Sequence, residues 1–321
     1  MSNDIVERTG LLAQSTAVDA AWGQWSSLTS LAVPANGKRA RSIVDPEGLV
    51  LASLALGSVE RRLEDLVAAW ARDAAFLMSK LRFRSVGAFF PKDVKRRLTH
   101  FARHAVDGGD GRWKSWITSD DSEFRSRHKP LGPLRLTEGP ALVLRLRAGF
   151  GVTAKADILA MLLGLEGTPG SLKAITAATG YSERMIRTAA NEMVLAGLIV
   201  EVPGRPSSFY VEPRRWAQLL LPDDRHASGD EPSLPPWRFW AAILAFLCDV
   251  RHWAHEAKRA KWSEYVAASR ARDLYDGHLK RLHQAGIRPP AHVSDSLTRT
   301  NGLGVLYQVV DQIRSWSVES R

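Results

Sequence analysis

Past Gly197 the apolar spacing of this chain leaves the helical period for the strand period, and few small folds place that change directly behind a capped helix. The runs LIVEV (198–202) and SSFYV (207–211) are short and rich in β-branched and aromatic residues, with PGRP (203–206) between them. Proline cannot donate to a strand ladder, so PGRP predicts the tip of a hairpin and presents Arg205 there.

Upstream, TGYSERMIRTAANEMVLAGLI (179–199) predicts a turn, a helix from Ser182 to Ala196, and an exit at Gly197. The Ser182 hydroxyl can accept from an orphan amide of the first turn, and Gly197 tolerates the left-handed conformation that ends many helices. At about 100° per residue, Ile186, Ala189, Ala190 and Met193 fall on one side, and Arg184, Arg187, Thr188 and Asn191 on the other. Most amphipathic helices with a polar outer face only face solvent. Arginine and asparagine are also the side chains that reach base edges, so the neighbouring elements decide between the two readings.

Ahead of this helix, Ile158, Met161, Leu162 and Leu165 form an i, i+3, i+4, i+7 stripe that predicts a helix closed by Gly167 and Pro169-Gly170. Ser171 can cap a second, short helix with Leu172 and Ile175 inward. Ala177, Ala178 and Gly180 are small enough for a close helix crossing.

In ILAMLL, SLKAITAATGYSERMIRTAANEMVLAGLI and VEVPGRPSSFYV the chain resembles the winged helix-turn-helix regulators of bacteria, of the MarR-like and ArsR-like groups. The likeness covers roughly 65 residues, about a fifth of the chain, and rests on pattern rather than an invariant motif. It implies that helix 182–196 enters the major groove, with Ser182, Arg184, Arg187, Thr188 and Asn191 facing bases. It further implies that Arg205 probes the minor groove, and that Ser171, Lys173 and Thr176 contact the DNA backbone. Glu183 and Glu201 are awkward beside phosphates.

Charge supports a polyanionic partner: 44 Lys and Arg stand against 34 Asp and Glu, a net +10. The stretch 80–104 alone holds eight Lys or Arg against one Asp, with Phe83, Phe89 and Phe90 interleaved, and reads equally as a solvated face or a phosphate-contacting one. With 45% hydrophobic and 24% charged residues the chain belongs among globular proteins. The longest apolar run, WAAILAFLCDV (240–250), is too short to span a bilayer, and the first residues show no secretion signal, so the expectation is a cytoplasmic protein with no membrane partner. Cys248, the only cysteine, lies inside that run as a small hydrophobe.

The expected fold is mainly α: a helix and linker (1–44), a basic helical domain (45–149), a central winged helix-turn-helix domain (150–221), a linker (222–236) and a C-terminal helical domain (237–321). Within the second, Leu63, Leu66, Val67, Trp70, Ala74, Leu77, Met78 and Leu81 predict one long helix, and Val94, Leu98, Phe101 and Ala105 another. The helices carrying Trp237, Trp240, Trp253 and Trp262 are candidates for a dimer interface or for packing within one chain. A homodimer is expected because one reading helix covers too few base pairs for genomic specificity.

The expected function is a sequence-specific, DNA-binding transcriptional regulator, a repressor on double-stranded DNA, with any small-molecule effector unknown and no cofactor, metal or catalytic residue assigned. Two alternatives stand beside it. The dispersed charge suits a multi-domain DNA-binding replication or maintenance protein, and the spacings Arg97/His104 and Arg272/His278 look like the Arg-His pair of helical HEPN ribonucleases. His100 with His104, and His252 with His255, lack the nearby carboxylate or thiol of a recognisable metal site.

Overall fold

A computed structural model of the chain describes residues 2–32, 39–118, 130–220, 234–288 and 302–319. The expected linker at 222–236 falls largely outside these residues, as do residues 33–38 of the expected N-terminal helix and linker and 119–129 of the expected basic domain. The described residues are mainly helical, with one small three-stranded antiparallel sheet.

Two hydrophobic cores organise the molecule. The first contains α1 (Ser2–Leu28), α2 (Pro46–Leu56), α3 (Arg61–Ala74), α4 (Lys80–Val86) and α5 (Lys92–Asp107), together with α11 (Trp240–Arg259), α12 (Glu264–Gln284) and α13 (Gly302–Glu319). The N-terminal and C-terminal helical segments therefore share one interior, where the sequence led us to expect separate domains. Trp240 and Trp253 lie in this core and Trp262 packs against it, so these tryptophans fill the chain's own interior. Trp240 Nε1 donates to Ser42 Oγ at 2.8 Å, which ties α11 to the segment leading into α2.

Every residue of α2 is buried, as its apolar run predicts. Asp45 caps it by accepting from the Gly48 amide at 3.0 Å, and Pro46 supplies a first-turn residue with no amide to satisfy. At Gly48 a β-carbon would meet Ala241 Cα at 2.9 Å, so glycine sets the close crossing of α2 and α11.

The expected long helix from Leu63 to Leu81 is broken. α3 ends at Ala74, a 3-10 turn covers Ala75–Leu77, Met78 is extended, and Ser79 caps α4. The Ser79 amide donates to Glu47 Oε1 at 2.8 Å, an attraction from a distant helix that local spacing does not register. Leu81 consequently lies on a different helix and is 46% exposed. α5 follows expectation, with Val94, Leu98, Phe101 and Ala105 inward.

The second core is built from α6 (Leu142–Phe150), α7 (Ala154–Leu163), α8 (Leu172–Thr179), α9 (Glu183–Leu195) and α10 (Pro213–Leu220), with Trp237 packed into it. The sheet consists of β1 (Gly170–Ser171), β2 (Val200–Val202) and β3 (Ser208–Tyr210), in the order β1-β3-β2. The hairpin β2–β3 pairs Val200 with Tyr210 and Val202 with Ser208, so PGRP forms its tip as the prolines require. β1, two residues long, carries no sequence signal of its own. α7 stops at Gly164 rather than running to Gly167, and Leu165 lies past its end. At that point the Gly164 carbonyl accepts from the Trp237 amide at 2.7 Å, and glycine allows the approach, since a β-carbon there would meet the Trp237 amide nitrogen at 2.6 Å and Ile43 Cδ1 at 2.7 Å.

Candidate nucleic-acid interface

The polar face of α9 forms as its spacing predicts. Ile186, Ala189, Ala190 and Met193 are buried, while Arg184, Arg187, Thr188 and Asn191 are exposed. Ser182 is the N-cap, its Oγ accepting from the Met185 amide at 3.3 Å, and Gly197 takes φ +69° just past the C-cap. Ser171 caps α8 in the same way, accepting from Ala174 at 3.2 Å. Between the two helices Gly180 takes φ +72°, the left-handed turn that lets α9 leave α8 at an angle.

Lys173 is exposed on α8 and Arg205 is exposed at the hairpin tip. Thr176 is half-buried, and its Oγ1 is covered by the protein. Arg187 is held by Glu183 one turn earlier, Nη2 to Oε1 at 3.1 Å, so one of the exposed guanidiniums is already partly neutralised. Glu192 pairs with Lys155 at 2.7 Å. Glu201 lies on β2, exposed.

Sequence reasoning missed what stands behind this surface. Three carboxylates (Asp45, Glu47, Asp157) and two guanidiniums (Arg82, Arg147) are buried together where the two cores meet. Arg82 Nη2 donates to Asp45 at 2.7 Å and its Nε to Glu47 at 2.9 Å. Arg147 forks onto Asp157 at 2.8 and 2.9 Å and onto Glu47 at 2.7 and 3.1 Å, and also donates to the Leu77 carbonyl at 3.0 Å. Paired, multiply bonded charges of this kind satisfy the condition under which ions are tolerated in an interior.

The cluster grips the turn before α9 from both sides. Arg82 Nη1 donates to the carbonyls of Ala178 (3.3 Å) and Thr179 (2.6 Å), the last carbonyls of α8. Tyr181 OH, one residue past Gly180, donates to Asp157 Oδ2 at 2.9 Å and lies 3.2 Å from Ser79 Oγ. Burial alone would raise the Glu47 pKa, yet Arg147 and Arg82 outweigh it and hold the carboxyl below its ordinary range. Burial, reinforced by Asp157, pushes the Tyr181 phenol up, so it stays a neutral donor. The local signal was weak, because each charge has a charged neighbour in its run: Glu47 beside Asp45 in DPEGLVLASL, Arg82 between Lys80 and Arg84 in KLRFRS, Arg147 beside Arg145 in LVLRLRAGF, Asp157 beside Lys155 in AKADILAML.

The basic stretch 80–104 is dispersed rather than gathered. Arg82 belongs to the cluster, Arg97 donates to Glu64 and the Leu54 carbonyl, and Lys80 donates to the Arg112 carbonyl and Ser115. Arg84 is exposed and sits 5.6 Å from the Trp116 ring centroid. Phe83 and Phe90 are in the core and Phe89 packs against it.

The two ribonuclease-like spacings differ in the structure. His278 is 5% exposed, with Nε2 on Asp249 at 2.7 Å, whereas Arg97 and His104 line one cavity of about 280 Å³ together with His100 and Glu64, with Arg97 bonded to Glu64. Among the described residues no group of three or more His, Cys, Asp or Glu is placed to hold a metal. Cys248 is buried, which pushes its thiol pKa up and away from nucleophilic chemistry. Among the described residues no helix is long and apolar enough to cross a membrane. Comparison of the chain with protein-family models, with curated proteins and with solved structures found no match.

Proposed function

We propose that this chain is a winged helix-turn-helix DNA-binding protein that reads duplex DNA with α9 and regulates transcription, most simply by occluding a promoter as a homodimer. The observation that carries the reading is the two-sidedness of α9. One face is sealed into the second core, and the other presents Arg184, Arg187, Thr188 and Asn191 to solvent, directly after a left-handed glycine turn. Arginine can fork onto guanine O6 and N7, and asparagine onto adenine N6 and N7, each good pair contributing about 1 to 3 kcal/mol of discrimination.

The β2–β3 hairpin supports the same reading, since its exposed Arg205 is where a wing would meet the minor groove. The ionic cluster adds a physical reason for precision: a helix that reads bases must keep its angle, and Arg82 and Tyr181 hold the turn that sets it. The excess of basic residues supplies the sequence-independent attraction.

The test is a selection of bound fragments from the source genome, followed by anisotropy titrations of the winning and scrambled duplexes at near-physiological salt. Preference for the winner by about a thousandfold or more is expected. Arg184→Ala should weaken binding to the winner more than to random duplex, whereas Lys173→Ala should weaken both alike and lower the salt dependence. Equal affinity for winner and scrambled duplex would overturn sequence-specific regulation.

A further inference from the structure

The groove between α1, α11 and the start of α12 combines an apolar bed with unbalanced positive charge. It encloses about 560 Å³, within the range of small-molecule sites. Val6, Leu11, Val59 and Trp262 supply apolar surface, and among the described residues Leu11 and Val59 are 57% and 43% exposed, large side chains left in water. Three permanent cations, Arg251, Lys258 and Lys261, line the same groove against a single carboxylate, Glu7, which pairs with Lys258 at 3.1 Å.

Two of those cations are held in ways that structure alone does not require. Arg251 is half-buried and bonded only to neutral acceptors: Ser58 Oγ at 2.8 Å, the Ala55 carbonyl at 3.3 Å and Gln14 Oε1 at 3.4 Å. Among the described residues no carboxylate lies in ion-pair range of it, and burial lowers its pKa, with Arg97 acting in the same direction and Asp93 against it. Lys261 takes φ +50° in the turn after α11, a conformation glycine adopts without strain and lysine does not. A lysine retained there brings its ammonium to the groove at a conformational cost of about 1 kcal/mol or more. The floor is closely packed, since Gly10 lets α1 approach until a β-carbon would sit 2.4 Å from Ala254 Cβ.

We propose that this groove binds an amphipathic carboxylate, an apolar body of roughly ten carbons or its aromatic equivalent ending in one anionic group. The body lies on Val6, Leu11, Val59 and Trp262, and the anion is taken by Lys261 at the groove's edge, with Arg251 adding to the positive field from α11. The proposal needs nothing from the DNA reading and stands or falls separately from it.

The test uses the whole protein and three probes of one chain length: decanoate, decan-1-ol and decyltrimethylammonium, titrated by calorimetry and by tryptophan fluorescence. Decanoate is expected to saturate a single site about tenfold or more tighter than either other probe. Lys261→Gly should keep or raise the melting temperature, because it relieves the turn, and should cut the preference for decanoate over decanol severalfold. Leu11→Asp, at an exposed position that should not disturb folding, should abolish binding of both. Equal binding of the three probes, no saturable binding of decanoate by about 1 mM, or a preference unchanged in Lys261→Gly would each overturn the site.

Discussion

Glu183 is the residue on which the proposed reading surface turns most delicately, because it sits one helical turn from Arg187 and holds it at 3.1 Å where, on that proposal, phosphates would approach. An exposed i, i+4 pair of this kind contributes only a few tenths of a kcal/mol, and an acid in the first turn also favours the helix dipole. Glu183→Gln should therefore cost no more than about 1 kcal/mol in thermal or urea unfolding. Its DNA affinity should rise at least about twofold at low salt, with the gain shrinking as salt screens it. Weaker binding would mean instead that Glu183 serves to aim Arg187. Glu47 is the opposite case, a buried acid whose removal leaves Arg82 and Arg147 short of a partner, and Glu47→Gln should cost about 3 kcal/mol or more at neutral pH. Because its folded pKa is depressed, its contribution is complete above the ordinary value of 4.5 and fades as pH falls through the lower folded value. The melting temperature of the wild type should thus fall more steeply below pH 4.5 than that of Glu47→Gln, and parallel slopes in a calorimetric pH series would remove Glu47 from the acid response.

At the scale of elements, what the sequence made legible and what it hid divide along the range of the forces involved. α9, its serine cap, its glycine stop and the β2–β3 hairpin were readable because caps, glycine conformations and apolar periods act within a few residues. The break between α3 and α4 was not readable, since it depends on Glu47 taking the Ser79 amide from 32 residues away in the chain. The burial of the Thr176 hydroxyl was hidden for a similar reason, being set by helix packing rather than by helix period. The turn at Gly180 joins both ranges, for it is locally left-handed and its missing β-carbon would sit 2.5 Å from Ser85 Oγ on α4. Gly180→Ala should therefore lose about 1 to 2 kcal/mol to backbone strain plus a separate steric cost. Ser85→Ala alone should be mild, because Ser85 bonds only carbonyls of its own helix, at Leu81 and Arg82. In a double-mutant cycle by urea unfolding, Ser85→Ala should recover the steric part and leave the strain. A coupling energy of zero would show that α4 does not press on the turn.

At the scale of the molecule, the two cores differ in how far each depends on distant chain. The first is assembled from both ends of the sequence: Gly48 receives Ala241, Trp240 bonds Ser42, and Arg251 reaches the Ala55 carbonyl at the far end of α2. The second is drawn almost wholly from one stretch, with Ile43, Leu234 and Trp237 its only buried apolar members from outside 142–217 among the described residues. Arg147 and Asp157, which would lose Glu47, Arg82 and Leu77 on excision, still keep each other and Tyr181. The fragment 139–220 should accordingly unfold cooperatively by itself, at a lower temperature than in the whole chain, because the supports of its turn on α2 and α4 are gone. The fragment 237–319 should show no cooperative transition, since the faces of α11 that bury Trp240, Ile243, Phe246 and Leu247 would lie open to water without α1 and α2. Calorimetry on the two fragments separates these expectations, and a sharp transition in 237–319 would mean that the C-terminal helices fold without the N-terminal ones and that the shared core is a docking of two finished units.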